Sequence, residues 1–203
     1  MSKLQNYIQF TSVNPRLNFS FLYPTDWQAR EVKGKETEYD EVFILGPRNR
    51  ENTYSLSLAA RATPVGAQSG KPADLDAAIA GYVDKNRQSA KFREISRVAG
   101  SLAGVEAVEI EIIHTIPLPI NNVNAKEMPI RERRIFLKKT DQVYELTYIA
   151  VEEDFFKYLE AFKNAAHTFE FREDAAQQTH WPVVMPAAAH AVREQPAGYK
   201  PEK

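Results

Sequence analysis

The carboxylates with the most chemical potential lie close together in the sequence, at Glu106, Glu109 and Glu111. In a strand, residues two positions apart share a face, so Glu109 and Glu111 are predicted to lie side by side. Paired carboxylates can act in acid–base chemistry or bind a divalent cation. Because a basic stretch at 131–134 could lie across the sheet from them, we favour cross-strand ion pairs as their role.

The densest basic stretch combines Arg131, Arg133 and Arg134 with Lys138 and Lys139. Nucleic-acid surfaces usually carry net positive charge and interleaved aromatic residues. This chain of 203 residues has 26 Lys and Arg against 27 Asp and Glu, a formal net charge of −1, so we expect no nucleic-acid partner. The stretch is interpreted as a solvated sheet face or edge, or as a surface for an acidic protein partner. On the second interpretation, Arg131, Arg133 and Arg134 are candidate partner-binding residues.

Other patterns typical of catalysis or metal binding are missing from the sequence. There is no cysteine, which excludes disulfides, thiolate nucleophiles and zinc knuckles. His114, His167, His180 and His190 form no HxxxH or HExxH motif, and there is no glycine-rich phosphate loop and no GxSxG motif. His114 is expected within a sheet, and His167 at a helix end. We therefore predict no catalytic residues, no metal site and no cofactor, and we expect that the protein is not an enzyme.

Short strands and two helices must position these residues. Amphipathic stripes predict helices over 73–88 and 153–168. The segment 115–130 is rich in proline and asparagine, and it is expected to form a mobile, functional loop. Because strands and helices do not alternate, we predict an α+β fold in which helices pack on an antiparallel sheet. Apolar or alternating runs predict the strands, at 7–11, 19–23, 28–33, 42–45, 54–60, 92–98, 108–114, 133–139 and 143–151.

The composition changes near residue 173, where a segment rich in proline and alanine begins. We predict an extended C-terminal tail over 173–203, since it has too little apolar surface for a core of its own. One apolar group stands out in it, formed by Trp181, Val183, Val184 and Met185. Such a group either folds back on the domain or docks on a partner. These four residues are the second set of candidate partner-binding residues.

Phe19-Ser20-Phe21-Leu22-Tyr23-Pro24, followed by Asp26-Trp27, resembles the opening motif of the PsbP family of extrinsic photosystem II proteins and their bacterial relatives. The order of the later segments is similar to that family as far as about residue 171. The resemblance implies a central antiparallel sheet sandwiched by helices, a fold shared with a Ran-binding nuclear import factor, small bacterial lipoproteins and secretion chaperones. It also implies a protein that docks on larger assemblies and is not known for catalysis.

Residues and resemblance together predict a PsbP-like domain over 1–172 and the tail over 173–203. The expected function is that of a non-catalytic accessory or adaptor protein that docks on a protein partner or larger complex. The alternative is a PsbP-type module that binds a small ligand or a divalent metal, as an extrinsic photosystem II-like subunit would, through the 115–130 loop and the Glu109/Glu111 face. Neither a signal-peptide core nor a run of roughly 20 apolar residues is visible, so no transmembrane segment is predicted. We expect a cytoplasmic protein, or a periplasmic or lumenal one if the sequence is a trimmed mature form.

Overall fold

The computed structural model describes residues 6–12, 14–32, 39–66, 71–120 and 122–172. These ranges contain ten strands and two helices. The helices are α1 (Leu75–Arg87) and α2 (Glu152–His167). The strands are β1 (Tyr7–Phe10), β2 (Phe19–Pro24), β3 (Gln28–Val32), β4 (Asp40–Arg48), β5 (Ser55–Pro64), β6 (Arg93–Leu102), β7 (Val105–Leu118), β8 (Lys126–Lys139), β9 (Gln142–Val151) and β10 (Glu170–Phe171).

Seven strands form the main sheet in the order β3-β4-β5-β9-β8-β7-β6, and every neighbouring pair is antiparallel. Strands β1, β2 and β10 form a second, smaller antiparallel sheet. Helix α1 packs on one face of the main sheet, and α2 packs on the other with the small sheet. We name these the α1 face and the α2 face. The predicted α+β fold, with an antiparallel sheet between helices, is confirmed.

The α2 face carries the larger core. The small sheet and the connection before β10 contribute a group of aromatic rings, among which Phe19 and Phe169 stack with centroids 5.2 Å apart. Helix α2 adds Phe155 and Phe162, and the Tyr148 hydroxyl on β9 donates to the Phe155 carbonyl oxygen at 2.9 Å. The predicted opening motif forms β2, and Trp27, which follows it, is buried in the same core.

The α1 face is covered by a shorter helix. Ile79, Tyr82 and Val83 pack on β7 and β8, as their helical spacing predicts. The helix begins after Asp74, whose side chain accepts a hydrogen bond from the Ala77 amide at 2.8 Å. This cap satisfies one of the free amides of the first turn. Because α1 is only 13 residues long, part of the α1 face is left open beside it.

The prediction of a loop over 115–130 is wrong, since β7 continues to Leu118 and β8 begins at Lys126. The two strands form a long hairpin, with only 119–125 between them. Its end is stabilised by a third core cluster, in which Leu118, Ile130 and Val151 are buried. Burial of these apolar side chains outweighs the tendency of the prolines to end a strand.

The predicted tail, with Trp181, Val183, Val184, Met185, His180 and His190, lies outside the described residues. Neither of the two helices in the described ranges is long and apolar enough to cross a membrane.

Candidate functional site

The three candidate arginines lie on β8, an interior strand between β7 and β9. Alternation sends Arg131 and Arg133 to the α2 face, and Glu132 and Arg134 to the α1 face. The arginine side chains are only 14 to 22% exposed. For the three arginines, the interpretation as a solvated sheet face or edge is therefore wrong, because all three cations are held by internal ion pairs, whereas Lys138 is exposed.

On the α2 face, two arginines hold the buried carboxylate of Glu111 from β7. The Arg131 Nε donates to Glu111 Oε1 at 2.7 Å, and the Arg133 Nε donates to Glu111 Oε2 at 2.7 Å. The Nη2 group of each arginine donates to the same oxygen as its Nε. We name this arrangement the Glu111 clamp. The cross-strand pairing favoured from the sequence is found here.

Helix α2 covers the clamp with aromatic rings. The Arg131 guanidinium carbon lies 5.0 Å from the ring centroid of Phe155 and 4.6 Å from that of Phe156. Such contacts add cation–π attraction to the ion pairs. Both Glu111 oxygens are already occupied by donors, and Glu109 lies 3.6 Å from Arg133. The clamp therefore gives no support to the alternative of a metal-binding module at Glu109 and Glu111, and it is a structural ion network.

On the α1 face, Arg134 lies between two carboxylates. Its Nε donates to Glu132 at 2.9 Å and its Nη2 at 2.6 Å, while Nη1 donates to Glu145 on β9. The Tyr82 ring from α1 lies 4.3 Å from the guanidinium carbon. Burial alone would lower the pKa of Arg134, but Glu132 and Glu145 outweigh it and raise the pKa. Arg134 therefore stays charged beneath the helix.

A second ion pair on the same face joins Arg61 of β5 to Glu41 of β4. The Arg61 Nη2 lies 3.2 Å from each Glu41 oxygen, and the Tyr39 ring lies 3.8 Å from the guanidinium carbon. Burial raises the pKa of Glu41 even though Arg61 opposes the change. The buried Arg61 Nε has no hydrogen-bond partner among the described residues. In this pair the hydrogen-bond donors are therefore less completely matched by acceptors than in the Glu111 clamp.

A cleft of about 620 Å³ opens between α1 and the α1 face, beside these two ion networks. Its helical wall includes Ala77, Ala78, Gly81 and Tyr82, and its floor includes the charged side chains of β5, β8 and β9. Lys71 and Lys85 lie at its lining as well, and neither makes an ion pair with the described residues. We name this space the α1 cleft. Several ionisable side chains converge here around open volume.

The histidines that the structure describes lie apart from the cleft lining. Burial lowers the pKa of His114 on β7, and its Nδ1 has no hydrogen-bond partner among the described residues. His167 is exposed in the last turn of α2, as predicted. Within the described ranges, no three His, Asp or Glu side chains form a group that could hold a metal ion.

The main sheet has two edge strands, β3 and β6, and the edge at β6 is a second surface feature. Strand β6 ends the main sheet and pairs only with β7. Nearly all of its ten residues are exposed, including Ile95 at 41% and Val98 at 57%. Charged residues occupy its first half, whereas 98–101 carries none. This second half presents an uncharged backbone edge to its surroundings.

Comparison with solved structures fits this architecture. The solution structure of cyanobacterial PsbP (CyanoP) from Synechocystis sp. PCC 6803 matches with a TM-score of 0.51 and 13% identity, over 84% of this chain and 95% of that chain. This chain has a PsbP-like fold. At that identity the likeness establishes the PsbP-like fold alone, so function must be argued from the side chains.

Two further solved structures are similar to this chain. The Ran-binding protein Mog1p of Saccharomyces cerevisiae has a TM-score of 0.49 and 9% identity, over 82% of this chain and 96% of that chain. LpqN, involved in cell envelope biogenesis of Mycobacterium tuberculosis, has a TM-score of 0.48 and 12% identity, over 84% of this chain and 93% of that chain. No protein-family model and no curated protein matches the sequence.

Sequence reasoning missed the α1 cleft. Glu41 and Arg61 were not singled out, and Tyr82 was expected only as part of the apolar helix stripe. One signal was present, since Arg61 interrupts a run of alanines in a strand with buried neighbours. A charged residue at such a position needs a partner nearby.

Proposed function

We propose that this chain is a non-catalytic accessory or adaptor module that docks on a protein partner. The observation that carries the proposal is the open edge of β6. An extended segment of a partner can add to such an edge through main-chain hydrogen bonds, with side-chain contacts supplying specificity. Natural proteins protect exposed edges with charge or irregular pairing, because unprotected edges pair with other chains.

The two halves of β6 differ in this protection. The first half carries Arg93, the Glu94–Arg97 ion pair at 2.9 Å and a register shift between Glu94 and Ser96. The second half, 98–101, is exposed and uncharged, and it keeps a continuous register with β7. The partner strand is therefore expected to add along 98–101.

Two further features agree with a binding role. The carboxylates at the α1 cleft are paired with guanidiniums, an arrangement more typical of a structural network than of a poised acid and base. The resemblance to the PsbP family also implies docking on larger assemblies. The apolar group at Trp181, Val183, Val184 and Met185 is proposed as a second contact with the partner, and Arg131, Arg133 and Arg134 stay predictions as partner-binding residues.

The experiment compares Val98→Asp with Val123→Asp as bait in extracts of the host organism. Val98 lies on the open edge, whereas Val123 is fully exposed in the 119–125 connection. We expect the unmodified chain and Val123→Asp to recover the same proteins by quantitative mass spectrometry, and Val98→Asp to lose them. Equal recovery by both variants would contradict docking at the β6 edge.

A separate deletion tests the tail. Removing 173–203 is expected to weaken capture of the same partner while the melting temperature of the domain changes little. If the shortened chain recovers the partner at the original yield, the tail has no part in docking.

A further inference from the structure

The α1 cleft has the shape of a small-molecule site. Its volume of about 620 Å³ lies within the range of about 300–1,000 Å³ that is typical of ligand pockets. The helical wall is made of small side chains at Ala77, Ala78 and Gly81, next to the ring of Tyr82. Gly81 is exposed at the rim of the cleft, and a Cβ atom added there would meet no atom within 4 Å. This side of the cleft fits a flat apolar body.

The charges of the cleft favour an anion. Among its lining residues, Arg61, Lys71, Lys85 and Arg134 are cationic, and Glu132 and Glu145 are anionic. Arg134 forms ion pairs with both carboxylates. The remaining cations, Arg61, Lys71 and Lys85, therefore make the net charge of the cleft lining positive. Glu41, behind Arg61, offsets only part of it.

Donors without acceptors point to the same class of ligand. The Arg61 Nε has no hydrogen-bond partner among the described residues, and neither lysine of the cleft makes an ion pair there. The Arg61 Nε is too buried for a ligand in the cleft to reach, but the two lysines are cations available to a bound oxyanion.

We propose that the α1 cleft binds a small organic oxyanion, a carboxylate or a phosphate ester carried on a flat apolar body. The body lies against Ala78, Gly81 and Tyr82. The oxyanion accepts from Lys71 and Lys85, beside the Arg61 guanidinium. This binding site is separate from the β6 edge, which lies at the far end of the sheet order from β5.

The test titrates four probes into the full chain by calorimetry and by amide chemical shifts. Benzoate and phenyl phosphate combine an anion with a flat ring, benzyl alcohol has the ring alone, and inorganic phosphate has the anion alone. We expect saturable binding of benzoate or phenyl phosphate, with shifts at Lys71, Gly81 and Lys85. Whichever of the two binds more tightly identifies the oxyanion. Each single-feature probe should bind at least about tenfold more weakly.

Two variants of α1 make the test specific to the cleft. Gly81→Leu fills the cleft and should weaken the bound probe at least about tenfold, while helix propensity favours its folding. Ala80→Leu, on the same helix but outside the cleft lining, should leave affinity unchanged. Replacing both Lys71 and Lys85 by Gln should reduce benzoate or phenyl phosphate binding and leave benzyl alcohol binding unchanged.

Several results would overturn the proposal. Equal binding of benzyl alcohol and benzoate would mean an apolar pocket without anion recognition. Binding of inorganic phosphate as strong as that of phenyl phosphate, and insensitive to Gly81→Leu, would mean an adventitious ion only. Absence of saturable binding by all four probes would equally reject the site. None of these results bears on partner capture by Val98→Asp, so the docking proposal stands or falls separately.

Discussion

Both faces of the main sheet carry arginine–glutamate ion pairs, but the surroundings of these pairs differ. Each face sets arginines of β8 or β5 against glutamates of a neighbouring strand. On the α2 face, the Glu111 clamp surrounds one carboxylate with two guanidiniums and covers them with the rings of α2. On the α1 face, the Arg61–Glu41 pair borders open volume and leaves a buried donor without an acceptor.

The difference shows how an ion network can be recognised as structural or as available to a ligand. The Glu111 clamp supplies each carboxylate oxygen with two donors, so little is gained by adding a further molecule. In the α1 cleft, Lys71 and Lys85 lack ion-pair partners among the described residues, and the Arg61 Nε has no acceptor there. The two faces differ in how completely their donors are matched by acceptors, more than in whether charged side chains are present.

The largest expected effect is on the clamp. Glu111→Ala leaves two partly buried arginines facing each other without their shared carboxylate, and it should lower the free energy of unfolding by about 3–5 kcal/mol. Urea unfolding followed by far-UV circular dichroism measures the change. Glu109→Ala is the matched control, because Glu109 lies on the same face but is one-third exposed, and it should cost about 0–1 kcal/mol. Similar costs for the two variants would mean that the clamp is no tighter than a surface ion pair.

A smaller effect is expected at the cleft. Arg61→Ala should lower the free energy of unfolding by about 1–3 kcal/mol at neutral pH, because Glu41 loses the donor that compensates its burial. The cost should shrink in acid, where protonated Glu41 needs no cation. Urea unfolding at pH 7 and pH 4 separates the two states. A cost at pH 7 as large as that of Glu111→Ala would remove the proposed distinction between the faces.

Much of the fold could be predicted because the signals are local. Helical spacing of Ile79, Tyr82 and Val83 places α1, and alternation around Glu109 and Glu111 places β7. The pairing of Glu111 with an arginine on a neighbouring strand could also be predicted, because alternation along both strands places these residues on one face of the sheet. Only the register of β8 was needed to tell which arginines lie on the α2 face and which lie on the α1 face.

The long hairpin and the cleft could not be predicted in the same way. Prolines at 117 and 129 argue locally for a loop, and only the burial of Leu118 and Ile130 against β9 outweighs them. The cleft depends on where a helix of 13 residues stops covering the sheet. Glu41 and Arg61 lie opposite each other on β4 and β5, and this register is not apparent from the sequence. Such features arise from tertiary packing, which residue spacing does not encode.

The smallest effect concerns the charge state of Glu41. Because burial raises its pKa above 4.5, the folded chain binds the proton more tightly than the unfolded chain does. The stability that this group contributes is therefore fully present below about pH 4.5 and is lost as pH rises through the raised pKa. Urea unfolding between pH 4 and pH 7 should show the unmodified chain losing stability relative to Glu41→Gln as pH rises.

The same series in an Arg61→Ala background sharpens the comparison of the faces. Without the cation that opposes the rise, the pKa of Glu41 should move higher, so the relative loss of stability should become larger and extend to higher pH. If Glu41→Gln instead loses stability relative to the unmodified chain as pH rises, the ion pair with Arg61 outweighs burial. The α1 face would then hold its carboxylate as firmly as the α2 face does, and the contrast between an open network and a closed one would fail.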